Sequence, residues 1–570
     1  MSAKELRAPV TLAPGEVVEL WVRATGPGAV LRVERGGATV YEVPQPATHV
    51  EFHRFATDGG EVEVVWTPEL LEVSFAYSYR PAEALAEGIT LWEFEKDGVK
   101  QLAGKELAEA LRAEPGRPQL HFSAPRQWMN DPNGLCWIDG RWHLFYQFHP
   151  GSVEWGPMHW GHAVSDDLVA WTHLPVFLHP QHDLPRLGAS GGAFSGCAFE
   201  CPDGKTRFCH TERLPCYAMD DFREVQRVVE SSDLLVAAGG RTVLEQRPAA
   251  AGMDFRDPRV WWHAPAGAYR MVLGGAIAGG PAVLLYGSTD LASWEYLGPL
   301  WRADPKWQAE GAAAAECPDF FELDGRWVLL ASMYKHADPK TGRRNPILAV
   351  VGEFKDDVFT PAPGRPPQVL DFGSDFYAMQ SCAGAGRRIA FGWLHNWTST
   401  AAAPDARHRG EQSWPRELSW DGHGQLRMAP ARELDDAAKV GRSRIKLNGD
   451  KGELPDAPFE FRVRNIRDGM TTFSATAGGA AAFRVEAGCE DRGSPTRASI
   501  ILPGGDECHG QARGTGELRI IYDRGIIEVF AAGGSCCGTR RIHPERPPDR
   551  FELNVASGQG ELWRLEPAAP

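Results

Sequence analysis

Three acidic residues, each followed within two positions by a proline, are the side chains of this sequence best suited to chemistry. They are Asp131 in WMNDPNG, Asp257 in FRDP and Glu316 in ECPD. A carboxyl group can attack as a nucleophile when ionised and can serve as a general acid when protonated. The alternative for the first motif is a plain turn, because Asn, Asp, Pro and Gly all favour turns. The three carboxyls can act together only if the fold brings them close.

A repeat in the middle of the chain indicates such a fold. A turn glycine followed by a short aromatic or apolar strand recurs at Gly140, Gly204, Gly267, Gly325 and Gly386, in steps of 64, 63, 58 and 61 residues. A Ser-x-Asp-Leu motif recurs with a similar period at residues 165, 231 and 288. Five strand-rich units of about 60 residues predict a five-bladed β-propeller, whose blades are four-stranded sheets around an axis.

The repeat also predicts where the chemistry lies. The positions nine or ten residues before the five glycines hold Asp131, Ser195, Asp257, Glu316 and Tyr377. Equivalent positions on five blades form a ring, and these positions would lie on the innermost strands. Like charges packed together cost free energy unless some are protonated or hydrogen-bonded. A polar ring of this kind therefore indicates a functional site.

The motifs WMNDPNG, FRDP and ECPD, in this order, resemble those of glycoside hydrolase family 32, which contains invertases, sucrose-6-phosphate hydrolases, levanases and inulinases. Similar segments are EWGPMHWGHAVSDDLVAWTHLP (154–175), FSG (194–196), DFGSDFYAMQS (371–381), FGWLHNW (391–397), PRELSW (415–420) and YDRGIIEVFAAGG (522–534). The resemblance covers about residues 118–570. It implies a five-bladed propeller followed by a β-sandwich, in agreement with the repeat.

The resemblance also implies roles for individual residues. Asp131 corresponds to the nucleophile of a retaining glycosidase, Asp257 to a carboxylate that stabilises the transition state, and Glu316 to the general acid/base. The positions that would bind substrate are Asn130, Gln147, Trp155, Phe194, Ser195 and Arg256 around the fructosyl ring, with Tyr377 and Trp393 towards the leaving group.

The chemistry of fructosyl transfer explains why carboxyls are needed. One carboxylate captures an oxocarbenium-like state, while a second carboxyl must hold a proton and deliver it to the leaving oxygen. The alanines before Glu316 predict a less polar setting for it than for Asp131, and Arg256 is expected to keep Asp257 ionised. No metal and no cofactor are needed. The alternative is that His159 and His162, which have a metal-like spacing, bind a metal.

The whole chain is predicted to be all-β, with four parts. They are an N-terminal β-rich accessory domain (1–115), the propeller (118–430), a linker (431–445) and a C-terminal β-sandwich (446–570). One helix is predicted at 105–113, where KELAEALRA stands. The accessory domain could bind sugar, mediate oligomer contacts or cover the rim of the propeller, and a homo-oligomer through either β-domain stays open.

The bulk composition excludes several classes of partner. The formal net charge is −15 and the basic residues are dispersed, which argues against nucleic acid. No apolar run reaches the ~18 residues of a membrane span. The N-terminus has no apolar signal core, and eleven cysteines make an odd number, so reduced thiols in a cytoplasmic protein are expected.

Three functions remain open at this stage. The leading hypothesis is hydrolysis of terminal β-D-fructofuranosyl residues from sucrose, sucrose 6-phosphate or short fructo-oligosaccharides. The second is fructosyl transfer, including intramolecular transfer that gives cyclic products, because it uses the same three carboxyls. The third is a non-catalytic sugar-binding propeller, against which the complete set of carboxyls argues. The sequence does not decide which fructoside is the substrate.

Overall fold

The regular secondary structure of the chain is almost wholly strand, as the all-β prediction required. The computed structural model describes residues 4–567 apart from 45, 182, 217–220, 339, 396, 398–405, 448, 467–468, 491–493 and 515. Its helices are α1 (Ala84–Glu87), α2 (Gly104–Ala113) and α3 (Pro305–Ala309), with 3-10 turns at Ala264–Ala266, Arg432–Asp435 and Ala532–Gly534. The predicted helix at 105–113 is confirmed as α2. Within the described range, no helix has the length and apolarity of a membrane span.

The N-terminal region forms two antiparallel sheets. Its strands are β1 (Leu6–Leu12), β2 (Val17–Ala24), β3 (Leu31–Arg35), β4 (Ala38–Glu42), β5 (Glu51–Ala56), β6 (Gly60–Trp66), β7 (Leu71–Tyr79), β8 (Thr90–Glu95) and β9 (Gly98–Leu102). One sheet has the order β1-β6-β3-β4 and the other β5-β2-β7-β8-β9. The alternating burial of β1 gives this strand one face towards the core and one towards solvent.

The central region is a five-bladed propeller, as the repeat predicted. The first two blades are β10 (Gln127–Ile138), β11 (Arg141–His149), β12 (His159–Ser165) and β13 (Thr172–Leu178), then β14 (Gly192–Glu200), β15 (Thr206–Cys216), β16 (Asp221–Glu230) and β17 (Ala238–Leu244). The third is β18 (Ala251–His263), β19 (Ala268–Ile277), β20 (Gly280–Ser288) and β21 (Glu295–Arg302).

The fourth and fifth blades complete the circle. The fourth consists of β22 (Ala314–Leu323), β23 (Arg326–Tyr334), β26 (Ile347–Lys355) and β27 (Val358–Pro361), with the short β24 (Ala337–Asp338), β25 (Arg343–Arg344) and β28 (Gln368–Val369). The fifth consists of β29 (Tyr377–Gly384), β30 (Arg387–Trp393), β32 (Arg416–Trp420) and β33 (Leu426–Pro430), with β31 (His408–Arg409) pairing parallel to β10. The innermost strands β10, β14, β18, β22 and β29 lie side by side, and β29 packs against β10 to close the ring.

The repeated glycines sit at the hairpins between the first and second strand of each blade. All five have positive φ, at 79°, 76°, 58°, 78° and 73° along the chain, which explains why glycine recurs there. The Ser-x-Asp-Leu repeat is also a structural device. In each copy the serine hydroxyl donates 3.2 Å to the aspartate carboxylate two residues later, in the turn after a third strand.

The C-terminal region is a sandwich of two six-stranded sheets. Its strands are β34 (Val440–Ile445), β35 (Lys451–Glu453), β36 (Phe459–Ile466), β37 (Gly469–Ala477), β38 (Ala480–Cys489), β39 (Thr496–Ile501), β40 (Glu507–Ala512), β41 (Gly516–Asp523), β42 (Ile526–Ala531), β43 (Cys536–Arg541), β44 (Arg550–Asn554) and β45 (Gln559–Pro567). The sheet orders are β34-β45-β36-β41-β42-β43 and β35-β44-β37-β38-β39-β40. Residues 440–445, which the predicted linker 431–445 includes, form β34 and pair with β45 of the sandwich.

The N-terminal region and the propeller share one hydrophobic core. Trp21, Phe75 and Tyr77 belong to the same buried cluster as Leu144 and Phe148 of the first blade. The ring of Trp21 also stacks on His179, just after β13, at a centroid distance of 6.0 Å. The accessory region is therefore packed on the flank of the first blade through large aromatic side chains.

Candidate active site

The predicted ring residues all lie on the innermost strands, at places where pairing with the second strand breaks. The breaks fall between Met129 and Pro132, Ala193 and Gly196, Arg256 and Arg259, Glu316 and Asp319, and Tyr377 and Gln380. Each break leaves two residues without a partner on the second strand, which bends the strand and turns side chains towards the axis. Asp131, Ser195 and Asp257 lie inside their bulges, whereas Glu316 and Tyr377 are the last paired residues before theirs. The five ring residues therefore do not occupy one structurally equivalent position on every blade, because three lie inside a bulge and two lie just before one.

The carboxyl group of Asp131 is buried and held by two neighbours. The Ser195 hydroxyl donates to Asp131 Oδ2 at 2.7 Å, and Asn130 Nδ2 donates to Oδ1 at 3.1 Å. Asp131 is 8% exposed. Two hydrogen bonds of this kind fix the orientation of the carboxylate, as a nucleophile on a rigid strand requires.

The thiol of Cys317 lies between the first two carboxyls. Its Sγ is 3.6 Å from Asp131 Oδ2 and 3.5 Å from Asp257 Oδ2, and the Cys317 amide donates to the same Asp257 oxygen at 2.8 Å. Asp257 and Cys317 have φ values of 64° and 48°, so both bulges adopt a left-handed conformation that non-glycine residues rarely take. Strain of this type clusters at functional sites.

The third carboxyl, Glu316, is bound by a cation and a phenol. Arg256 donates to Glu316 Oε1 from Nη2 at 2.8 Å and from Nε at 3.1 Å, and the Tyr377 hydroxyl donates to Oε2. The same guanidinium donates to Glu224 Oε1 at 2.8 Å and to Asp254 Oδ1 at 2.6 Å. Arg256 therefore neutralises a buried acidic group that extends beyond the predicted three.

The proximity of these carboxyls changes their protonation. Burial raises the pKa of Asp131 to about 6, against the lowering effect of the hydrogen bonds from Ser195 and Asn130. Burial, followed by the charge of Glu316, raises the pKa of Asp257 to about 8, although Arg256 acts in the opposite direction. The carboxyl cluster therefore holds a proton at pH values where isolated carboxyls are ionised.

Two expectations about this electrostatic pattern are wrong. Arg256 bonds to Glu316, Glu224 and Asp254. Its charge lowers the pKa of Asp257, but burial and the charge of Glu316 outweigh this effect and leave the pKa at about 8. The setting of Glu316 is not the less polar one that its neighbouring alanines predicted. Its surroundings come from other blades, in the form of Arg256 on β18 and Tyr377 on β29, and sequence neighbours do not reveal them.

An aromatic rim adjoins the carboxyls, since Trp155 and Phe194 pack against the hydrophobic cluster that contains Cys317 and Tyr377. The Trp155 ring lies 6.1 Å from Phe194 and 6.2 Å from Trp397, both edge to face. Trp397 is 37% exposed, whereas Trp393 is fully buried behind it at a ring distance of 5.1 Å. Aromatic faces of this kind suit the apolar faces of a sugar ring. The structure thus places Trp155 and Phe194 at the rim, and places Trp393 in the layer beneath.

Asn130 and Gln147 support the floor of the site. Trp128 Nε1 donates to Asn130 Oδ1 at 2.7 Å, and Gln147 Nε2 donates to the Ala193 carbonyl at 2.9 Å. Both side chains are almost wholly buried, at 3% and 2% exposure. In the amide orientation that satisfies its neighbours, Asn133 donates to Ser195 Oγ and accepts from Gln147 Nε2. These amides orient the residues around Asp131.

His159 and His162 do not form a common site. His162 Nε2 lies 3.1 Å from His143 Nδ1, whereas His159 Nδ1 faces the Pro157 carbonyl at 3.0 Å. Residues three apart on a strand point to opposite faces. Among the described residues, no group of three or more His, Cys, Asp or Glu side chains is placed to hold a metal ion.

Sequence reasoning missed several residues of the site. Glu224 on β16 is 4% exposed and binds Arg256, and Thr211 Oγ1 accepts from the Asp257 amide at 2.9 Å. Trp397 was recognised only as part of a longer segment. Thr211 lies on the second strand of the second blade and Glu224 on the third, both outside the motifs, so no sequence signal pointed to them.

The fold and the site together define a propeller glycosidase with three carboxyls at the axis. The family model for the N-terminal domain of glycosyl hydrolases family 32 matches residues 121–430, and the model for the C-terminal domain matches 458–566. The chain belongs to this family. It is a glycosidase of the β-fructofuranosidase type.

Curated relatives and solved structures agree with this assignment. The chain is 31% identical to a levanase of Bacillus subtilis over 78% of this chain and 68% of the levanase. It is 31% identical to a sucrose-6-phosphate hydrolase of Escherichia coli over 79% of this chain and 94% of that protein. A family 32 structure from Bifidobacterium adolescentis has a TM-score of 0.85 at 25% identity and covers 99% of this chain and 100% of its own. A Bombyx mori β-fructofuranosidase has a TM-score of 0.66 at 27% identity, covering 81% and 98%.

Proposed function

We propose that this protein hydrolyses terminal β-D-fructofuranosyl residues of sucrose, sucrose 6-phosphate or short fructo-oligosaccharides with retention of configuration. The observation that carries the proposal is the meeting of Asp131, Asp257 and Glu316 at or beside the bulges of the innermost strands, with Cys317 between the two aspartates and Arg256 bound to Glu316. The relatives named levanase and sucrose-6-phosphate hydrolase support fructosides as the substrate class.

In the first step, the Asp131 carboxylate attacks the anomeric carbon of the fructosyl unit. Glu316 donates its proton to the glycosidic oxygen as the bond to the leaving group breaks, and a fructosyl ester with Asp131 forms. Ser195 and Asn130 hold Asp131 for the attack. When the proton of the carboxyl cluster lies on Glu316, Asp257 is ionised and stabilises the positive charge that develops on the ring.

In the second step, Glu316 accepts a proton from water, and the water oxygen attacks the anomeric carbon. The ester bond breaks, Asp131 leaves as a carboxylate, and fructose is released with the configuration of the substrate. Arg256 and Tyr377 contact the two oxygens of Glu316. They orient the carboxyl that must act first as an acid and then as a base.

Product analysis tests the proposal. The purified protein is incubated with sucrose, sucrose 6-phosphate, kestose, inulin and levan, and the products are separated by chromatography. Free fructose from the small substrates is the expected result, and Asp131→Asn is the control that should release none. Absence of any product from all five substrates would contradict the enzymatic role and would favour a sugar-binding propeller.

The same experiment separates hydrolysis from fructosyl transfer. Longer or cyclic fructans in place of free fructose would show that a sugar hydroxyl, not water, attacks the ester. Retention has its own test, because NMR spectra recorded in the first moments of turnover show which anomer is released. Initial release of α-fructofuranose would contradict a nucleophilic role for Asp131.

Residues 1–115 are proposed to be an accessory domain that covers the flank of the first blade, followed by a catalytic propeller and a structural sandwich. The aromatic packing of Trp21 and Phe75 on the first blade supports this role. A cytoplasmic location is also proposed, supported by buried free thiols such as those of Cys136, Cys197 and Cys317. Light scattering of the purified protein would show whether either β-domain mediates a homo-oligomer.

A further inference from the structure

A cavity of about 650 Å³ lies between the propeller and the sandwich, and it shares no lining residue with the candidate active site. One wall consists of β26, β28 and the turn between β32 and β33. The other wall consists of β39, β40 and the start of β43. Pockets that bind small molecules typically have volumes of ≈ 300–1,000 Å³, and the volume of this cavity lies in that range.

The lining of this cavity is strongly basic. Its basic side chains are Arg343, Arg365, Arg497, Arg513, His423 and His509. No Asp or Glu side chain lines the cavity among the residues that the structure describes. This is a local inversion of charge, since the formal net charge of the whole protein is −15.

Only part of this positive charge is neutralised by the protein. Arg343 lies 3.5 Å from Asp338 and Arg497 lies 3.4 Å from Glu507, both at the long end of the ion-pair range. Arg365 donates to the carbonyls of Gly424 and His423, at 2.5 and 3.2 Å, and not to a carboxylate. Within the described part of the chain, no carboxylate lies within ion-pair distance of Arg513.

Like charges approach one another at the turn between β32 and β33. A Cβ atom built on Gly424 would lie 2.8 Å from Arg365 Nη2 and 2.9 Å from Arg326 Nη1, so both guanidinium groups border the same point. Arginine stays charged at all physiological pH values. Repulsion between such groups is relieved when an anion lies between them, and planar guanidinium groups match the oxygens of phosphate.

We propose that this cavity is a binding site for a phosphate-bearing small molecule, separate from the catalytic centre. Arg365 and Arg513 hold the phosphate oxygens, and Arg343 and Arg497 add to the positive field. Apolar residues such as Phe372 and Val351 line the remainder of the cavity. They suit the body of an organic phosphate rather than a bare ion.

Calorimetric titration of the full chain tests the proposal with three probes. These are inorganic phosphate, glucose 6-phosphate and glucose. Glucose 6-phosphate is expected to bind saturably and glucose not to bind. Binding of inorganic phosphate as tight as that of glucose 6-phosphate would show that the phosphate group alone is recognised, and would overturn the role of the apolar lining.

The double variant R365A/R513A should weaken glucose 6-phosphate binding by about tenfold or more, because it removes two charge-assisted contacts. Both side chains are exposed, so the fold should persist, as circular dichroism would confirm. The control R302A/R550A removes two exposed arginines from the third blade and from β44, and its affinity should match the wild type. No saturable binding by the wild type, or equal weakening in both double variants, would overturn the proposal.

Discussion

The hydrogen bond from Ser195 to Asp131 allows a quantitative test of the nucleophile. Ser195→Ala removes only the hydroxyl that donates to Asp131 Oδ2 at 2.7 Å, and both residues are buried. This hydrogen bond favours the ionised carboxylate and lowers the pKa of Asp131, against burial, which raises it to about 6. Its removal should therefore raise the pKa further.

The size of the change follows from the strength of such a bond. A hydrogen bond to a charged group contributes about 1.5–3 kcal/mol, and one pH unit corresponds to 1.36 kcal/mol. The acidic limb of the profile of kcat/KM against pH should therefore move upward by about one to two units. The shift is upward because only the ionised Asp131 can attack. When the ionised form is less stable, Asp131 becomes protonated at a higher pH, so activity begins to fall at a higher pH as the solution is acidified.

The assay is the initial rate of sucrose cleavage across the pH range, since kcat/KM reports the ionisation of the free enzyme. Ser288→Ala is the matched control. Ser288 is a buried serine of the third blade that donates to Asp290 at 3.2 Å, outside the site, and its removal should leave the acidic limb in place. If the Ser195→Ala variant has lower activity at every pH but an unmoved acidic limb, the reasoning is refuted. Ser195 would then contribute to substrate binding and not to the pKa of Asp131.

The remaining predictions concern the nucleophile, the acid, the charge network and the accessory region. Asp131→Asn should abolish turnover in every fructoside assay, and more than a few per cent of wild-type rate would exclude Asp131 as nucleophile. Glu316→Gln should reduce turnover severely with poor leaving groups and much less with activated ones; equal losses would exclude Glu316 as the acid. Glu224→Gln should lower kcat/KM by about tenfold with little change in melting temperature, because Arg256 loses one charged anchor of about 1.5–3 kcal/mol; an unchanged kcat/KM would contradict this. Removal of residues 1–115 should make the protein poorly soluble, as the soluble fraction would show, whereas an unchanged melting temperature would contradict the shared core.

The architecture was predictable because it repeats. Five hairpin glycines with positive φ and the recurring Ser-x-Asp turns are local requirements of each blade, so they leave a periodic signal in the sequence. Asp131 and Glu316 were found through the same period. The all-β class and the propeller followed by a sandwich could therefore be predicted before the structure was known.

The contacts of the site were less predictable, because they cross between blades. Glu224, which lies on a strand without a recognisable motif, accepts a hydrogen bond from Arg256 of the neighbouring blade. Arg256 also donates to Glu316 on the next blade rather than to its sequence neighbour, Asp257. The hydrophobic core that the accessory region shares with the first blade was likewise not predictable, because no sequence pattern distinguishes Trp21 from a tryptophan buried within its own sheet. Periodicity predicts positions, whereas side-chain direction depends on the bulges.

The buried carboxyls reduce stability, and this links the geometry of the site to its function. An unfolded aspartate has a pKa near 3.9, whereas in the fold the pKa of Asp131 is about 6 and that of Asp257 about 8. The folded state therefore binds more protons than the unfolded state, and stability falls as pH rises from about 4 to about 8. Asp131→Asn removes one such charge, so the inactive variant should be more stable than the wild type by roughly 2–3 kcal/mol at pH 8. Denaturant unfolding at pH 8 and at pH 4 measures this, because the advantage should shrink towards the lower pH. Equal stability of the wild type and Asp131→Asn at pH 8 would show that burial of the ionised Asp131 carboxylate does not reduce the free energy of unfolding.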